Sequence, residues 1–488
     1  MNQHIQNSAD GRVESYRNFI DGRFSEAQSG SVEVFNPATQ EFLAATPNSS
    51  EAAVDEAVAA AKRAQPGWER LPAIQRAGYL RQISAKIRGA RDRLAEIITR
   101  EQGKVLGLAR VEVDFTADYI DYMAEWARRI EGEIIPSDRP GESIFLMRKP
   151  IGVTAGILPW NFPFFLIARK LAPALLTGNT IVIKPSEETP INAFEFARLV
   201  AETNLPAGVF NLVGGTGATV GAHLTQHADI GLISFTGSVP TGIRIMQAAA
   251  QNLTRVNLEL GGKAPAIVLA DADLDLAATA IVASRVINTG QVCNCAERVY
   301  ADKSIADSLI ENIAAKMKAT RYGDPMKDHD LDMGPLINAA GLAKVSAMVS
   351  RAQEQGGDVI VGGKVADLGA GHHYEPTLII GCRADMEIMR KEIFGPVLPI
   401  QTIDGLDEAI ALSNDSDYGL TSSIYTRDLS SAMRAIQQLK FGETYVNREN
   451  FEAMQGFHAG RRKSGIGGAD GKHGLHEYME THVAYIKV

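Results

Sequence analysis

Between residues 151 and 168 the chain runs eighteen positions without a charged side chain. That length touches the threshold for a membrane-spanning helix. Pro159, Asn161 and Pro163 interrupt the run, and its first half is rich in β-branched residues. Proline removes a backbone donor and breaks helices, so the run reads as a strand, a tight loop and the start of a buried helix. Further apolar, β-rich runs at 180–184, 209–213, 232–236, 255–260 and 266–269 join 152–158 as predicted strands. Helical periodicity over 165–176, 191–203 and 241–251 places helices between several of them. Strands that are apolar throughout are buried on both faces, which points to a parallel sheet covered by helices. The predicted fold class is α/β, with a Rossmann-like, doubly wound unit.

Residues 1–13 are polar, lack the apolar core of a secretory signal and read as a flexible tail. Phe19-Ile20-Asp21-Gly22-Arg23-Phe24 predicts a hairpin, and Asn36-Pro37 a turn. From Ser50 to about Ile130 the spacing is helical, opening after a Ser49/Ser50 cap. After Asp273 a second α/β series begins, with a helix to Ile287, a strand over 298–301 and a helix over 305–320. It continues to about Val446. The segment from Gly465 is Gly-rich, and 481–488 have the β-rich character of an edge or exchanged strand.

At 488 residues the chain has room for two or three domains of roughly 100–200 residues. Its 45% hydrophobic and 22% charged content suits a large core. A net charge of −9 argues against a nucleic-acid partner, while leaving anionic small molecules open. Three cysteines make no disulfide framework, which fits reduced thiols and the cytoplasm. Cys293-Asn294-Cys295 lacks the ligand spacing of a zinc site, so no metal is expected.

Cys293 follows Gly290-Gln291-Val292 just after a predicted helix end. A thiol beside exposed amides or positive charge is activated for attack on carbonyl carbon, although most cysteines are simply small hydrophobes. Glu259 ends an apolar strand and precedes Gly261-Gly262. A carboxylate there is costly unless used or paired, and desolvation raises it towards the range of a general base. Asn161, in Leu158-Pro159-Trp160-Asn161-Phe162-Pro163, is a neutral amide on a rigid turn. It suits an oxyanion donor or, equally, a turn residue bonded to its own backbone. Gly215–Gly221 is one residue too long for the dinucleotide fingerprint, whereas Gly237-Ser238 opens a helix where a pyrophosphate can sit. Lys184-Pro185-Ser186-Glu187 ends another strand, where a carboxylate can accept from ribose hydroxyls and repel a 2′-phosphate.

Taken in chain order, these runs, with Leu258-Glu259-Leu260-Gly261-Gly262-Lys263 and Glu392-Ile393-Phe394-Gly395-Pro396, resemble the NAD(P)-dependent aldehyde dehydrogenase superfamily over nearly the whole chain. The resemblance implies Cys293 as nucleophile, Glu259 as base, and Asn161 with the Cys293 amide as oxyanion hole. It assigns Trp160, Lys184, Pro185, Ser186, Glu187, Gly237, Ser238, Lys344, Glu392 and Phe394 to an NAD site, with NADP disfavoured by Glu187. It implies an NAD-binding domain over 14–258 carrying an oligomerisation hairpin near 131–150. A catalytic domain over 259–464, an oligomerisation segment over 465–488 and a homotetramer complete the expected organisation.

Within the superfamily, the run from Asn447 to Gly460 is similar to that of bacterial enzymes acting on lactaldehyde and glycolaldehyde. It carries Phe457-His458-Ala459-Gly460 where many members have a Pro-Phe-Gly-Gly type sequence. A short 2-hydroxy aldehyde offers a hydroxyl and little apolar area, so Arg169, Glu452 and His458 are the candidate substrate residues. Another short-chain aldehyde or a semialdehyde remains the alternative.

Overall fold

The computed structural model describes residues 16–25 and 30–488. The tail read over 1–13 lies outside them. The helical stretch after Ser50 is four helices, Glu51–Arg70, Ala73–Gly89, Arg91–Gln102 and Leu106–Glu125. The Ser50 side chain accepts from the Ala53 amide at 3.3 Å and caps the first. Gly103, at φ +88°, ends the third in the left-handed region, and a Cβ there would meet the Pro335 ring at 2.7 Å.

The first large sheet has eight strands, with five parallel strands at its centre. Their order is Arg255–Leu260, Leu232–Gly237, Val153–Ile157, Thr180–Lys184, Phe210–Leu212. Val153–Ile157 is first in the chain and lies in the middle, so successive connections leave it in opposite directions. That reversal opens a crevice beyond its carboxyl end, at Leu158-Pro159-Trp160-Asn161. Every position of Val153–Ile157 and Thr180–Lys184 is buried, as their unbroken apolar runs require. The hairpin Phe19–Ile20/Arg23–Phe24 adds to one edge, and Gly465–Ile466 to the other.

The second sheet has seven strands, parallel except for Asp358–Val361 at one edge. Its Ala264–Val268 strand lies between Ala296–Asp302 and Thr421–Tyr425. Sequence periodicity placed this strand with the first series. A strand buried on both faces has no polar side to show which sheet it joins. Gly261 and Gly262 carry the chain across, from the last parallel strand of one sheet into the second. Glu259 therefore sits at the crossing. Cys293 precedes Ala296–Asp302, the neighbouring strand of the second sheet.

A third sheet pairs Glu133–Pro136 with Glu142–Pro150, and Glu142–Pro150 with Met479–Lys487, all antiparallel. The C-terminal strand is thus paired within its own chain. No helix among the described residues is long and apolar enough to cross a membrane, and the uncharged run at 151–168 divides as its prolines dictate.

Candidate active site

The thiol stands on a strained and heavily tied loop. The helix Leu274–Val286 gives way to Asn288 at φ +47°, Thr289 at φ +59° and Gly290 at φ +72°. A β-branched residue in the left-handed region is costly and persists only where its surroundings over-determine it. Thr289 Oγ1 donates to Gly334 O at 2.9 Å, and Gln291 Nε2 donates to Asn288 O at 3.0 Å. Gln291 Oε1 accepts from the Ile337 amide at 2.9 Å. At Gly290 a Cβ would come within 2.3 Å of Gly395 O, so only glycine lets the Cys293 loop meet the loop of Glu392 and Phe394. Cys293 is half-buried, whereas Cys295 and Cys382 are buried, their thiols pushed up to about 12 and about 11 first of all by that burial.

Asn161 meets this loop from the first sheet. Its Nδ2 donates to Gln291 O at 3.0 Å, and its carbonyl accepts from Asn288 Nδ2 at 3.0 Å and Lys104 Nζ at 2.8 Å. Lys104 and Glu112 form a fully buried pair at 2.5 Å. The other Glu112 oxygen accepts from the Phe164 and Phe165 amides at 2.9 and 3.1 Å. One buried ion pair thereby fixes both ends of the turn that carries Asn161.

Glu259 is buried, and neither of its carboxylate oxygens has a hydrogen-bond partner among the described residues. Burial pushes it up to about 7, against the pull of His458 and Arg169, with Asp470 adding to the rise and Lys170 opposing it. Nε2 of His458 lies 3.4 Å from Glu259 Oε2. Behind Glu259, Lys170 donates to Ser234 Oγ at 3.1 Å and Thr236 Oγ1 at 3.0 Å, and burial pushes its ammonium down to about 7. A desolvated carboxylate near neutrality, short of partners, is suited to taking a proton from water.

One pocket gathers most of the candidates. Trp160, Asn161, Arg169, Gly237, Ser238, Glu259, Cys293, Lys344, Glu392, Phe394, Glu452 and His458 all line it. Arg169 is held by Asp470 through two contacts, one of 2.9 Å, and by Glu452 at 3.2 Å. The second Glu452 oxygen accepts from Asn294 Nδ2. Phe115, Phe165, Val292 and Phe451 supply apolar wall.

The cofactor candidates form two groups. Trp160 and Phe394 meet edge-on with ring centres 5.4 Å apart. Glu392 Oε1 accepts from the Gly262 amide at 2.9 Å. Burial, followed by the Glu297 charge, raises Glu392 to about 7, while Lys344 opposes the rise. Glu297 is buried between Lys263 at 2.8 Å and Arg285 at 2.9 Å. It accepts from the Ile393 and Phe394 amides, so a structural ion triad shapes this loop. Away from the pocket lining lie Lys184, Pro185, Ser186 and Glu187. Lys184 Nζ donates to Pro185 O and Glu187 Oε2, both at 2.9 Å, and Glu187 Oε1 accepts from the Gly217 amide at 3.0 Å. Between the groups, the helix Val239–Ala249 begins at Ser238 without a side-chain cap. Uncapped first-turn amides at a switch-point crevice fit a pyrophosphate, and hence a dinucleotide.

Several participants escaped sequence reasoning. Asn294, Asp470, Glu443, Lys170 and the Lys104–Glu112 pair carry no local motif, and Asn294, Asp470 and Lys170 meet partners 158, 301 and 64 positions away. Asp470 gave one faint signal, its place in the Gly-rich run Gly467-Gly468-Ala469-Asp470-Gly471; its backbone, at φ +70° and ψ 164°, lies in a region that strains any side chain.

The chain is similar to known proteins over nearly all of its length. The aldehyde dehydrogenase family matches residues 24–484. Lactaldehyde dehydrogenase of Escherichia coli is 60% identical over 470 residues, covering 96% of this chain and 98% of the relative. A crystal structure of that enzyme superimposes with a TM-score of 0.96 at 59% identity, covering 97% of this chain and 99% of that one. D-glyceraldehyde dehydrogenase (NADP(+)) of Thermoplasma acidophilum is 37% identical, covering 96% of this chain and 95% of the relative. The chain belongs to the aldehyde dehydrogenase family and is an NAD(P)-dependent oxidoreductase acting on aldehydes.

Proposed function

We propose that the enzyme oxidises a short 2-hydroxy aldehyde, lactaldehyde or glycolaldehyde, to its acid with NAD. The carrying observation is the polar cluster of Arg169, Glu452, Asn294 and His458 beside Cys293 in an otherwise aromatic wall. Such groups suit a hydroxyl next to the carbonyl, and a site built for a hydroxyl rejects analogues lacking it strongly. Arg169 already faces two carboxylates, Asp470 and Glu452, so little positive charge is left for the acid end of a semialdehyde. The lactaldehyde dehydrogenase similarity points the same way.

In this reading Cys293 Sγ adds to the aldehyde carbon, and the Cys293 amide with the Asn161 side chain stabilises the oxyanion. For that, Asn161 Nδ2 exchanges its contact with Gln291 O for the substrate oxygen. NAD supplies the hydride acceptor when bound. Glu392 would hold the nicotinamide ribose, with Lys344 beside it. Phe394 and Trp160 would pack nearby, Gly237 and Ser238 would face the pyrophosphate, and Lys184, Pro185, Ser186 and Glu187 would hold the adenosine ribose. Loss of hydride leaves a thioester on Cys293. Glu259 takes a proton from water, which attacks the thioester carbonyl and releases acid and thiolate.

The domain division at 258/259 and 464/465, with the 131–150 hairpin and C-terminal strand making a cytoplasmic homotetramer, belongs to the same proposal. A kcat/KM panel of lactaldehyde, propanal and succinic semialdehyde with both cofactors tests it. Lactaldehyde with NAD is expected to lead, and a preference for propanal overturns hydroxyl recognition.

A further inference from the structure

His458 is bracketed by two carboxylates. Its Nδ1 lies 2.6 Å from Glu443 Oε1 and its Nε2 3.4 Å from Glu259 Oε2. His458 is 1% exposed, and the side chains of Glu259 and Glu443 are 5% and 14% exposed. Glu443 opens the edge strand Glu443–Val446 of the second sheet, and its other oxygen accepts from the Tyr445 hydroxyl. Glu259 belongs to the first sheet, so this chain of contacts spans the crossing between the sheets.

We propose that Glu443 is a positioning residue for the general base: through the His458 imidazolium it keeps Glu259 ionised inside a buried site. The inference rests on the reading of Glu259 as base. Three cations face Glu259. Arg169 is matched by Asp470 and Glu452. Lys170 is directed at the hydroxyls of Ser234 and Thr236. Of the three, His458 is the one within ion-pair distance of Glu259 among the described residues, its Nε2 3.4 Å away with Glu443 on its other ring nitrogen. A carboxylate on Nδ1 fixes the ring's orientation and stabilises its cationic form. Burial and the Arg169 charge oppose a proton on His458, yet Glu259, Glu443 and the Cys293 thiol together hold it well above its ordinary value. Glu443 itself is held low despite burial, by His458 and then by Tyr445 and Arg169.

The test is the pH profile of thioester hydrolysis, read as the rate after the first-turnover NADH burst. Glu443→Gln lets His458 lose its proton, which raises Glu259 and moves the acid limb to higher pH. About tenfold slower hydrolysis is expected on that limb, with the alkaline plateau retained. Glu443→Asp should restore most of the wild-type limb. Should Glu443→Gln not fold, His458→Gln serves instead: removing the imidazolium moves the limb in the same direction if it keeps Glu259 ionised, and an unmoved limb overturns the proposal. An unmoved limb in Glu443→Gln, or an equal loss at every pH, also overturns it while leaving Glu259 as base. Hydrolysis at the wild-type rate in Glu259→Gln would instead remove the base reading itself.

Discussion

The two ends of the dinucleotide crevice are built on opposite principles. At the Lys184–Glu187 end, the polar groups are already paired: lysine with glutamate, and glutamate with the Gly217 amide. At the Cys293–Glu259 end, a buried carboxylate lacks hydrogen-bond partners and a β-branched residue is held at positive φ. Groups already paired with one another recognise a ligand at small cost. A desolvated base and a strained loop raise the energy of the site and gain reactivity, because their surroundings leave them no relaxed alternative. Substitutions at the reacting end should therefore change rates by orders of magnitude, and those at the ribose end should change cofactor preference.

Cys293→Ala should show the extreme of this contrast, with no turnover and no NADH burst in a stopped-flow trace. Asn161→Ala should lower kcat about 10²–10³-fold, the usual loss for one oxyanion donor, with a smaller effect on KM. Glu112→Ala strands the Lys104 ammonium in the core beneath Asn161. It should lower stability by about 3–5 kcal/mol in denaturant titrations, and activity should fall as the Asn161 turn loosens. Glu187→Ala should be mildest, removing a charge that repels a 2′-phosphate. The ratio of kcat/KM for NAD over NADP should fall about tenfold, equivalent to about 1.4 kcal/mol. An unchanged ratio would place cofactor discrimination elsewhere.

The contrast also separates what was legible in the sequence from what was not. Strands such as Val153–Ile157 and Thr180–Lys184 announced themselves because each is a short run with one kind of environment. The residues flanking Cys293 and Glu259 were visible because glycines and breakers mark where backbones must approach closely. The allocation of Ala264–Val268 to the second sheet was not visible in the periodicity, since a strand buried on both faces looks alike in either sheet. Nor were the groups that tune the site. Glu443 lies 15 positions from His458, Asp470 lies 301 from Arg169, and Glu112 acts on Asn161 through a lysine. Such pairings are set by how helices, loops and strands pack in three dimensions, a property absent from any local sequence pattern.

Hydrolysis should also carry the mark of the desolvated base. Burial holds Glu259 up at about 7, so it is protonated and idle below that pH and ionised above it. The post-burst rate should fall about tenfold per pH unit below the limb and level off above it. The most direct measurement mixes Glu259→Gln rapidly with lactaldehyde and NAD and follows NADH. The expected result is a burst close to one NADH per site followed by a steady rate collapsed by orders of magnitude, because the thioester forms and then waits. A missing burst, or a steady rate equal to the wild type, would contradict the role of Glu259 as the base that releases the acid from Cys293.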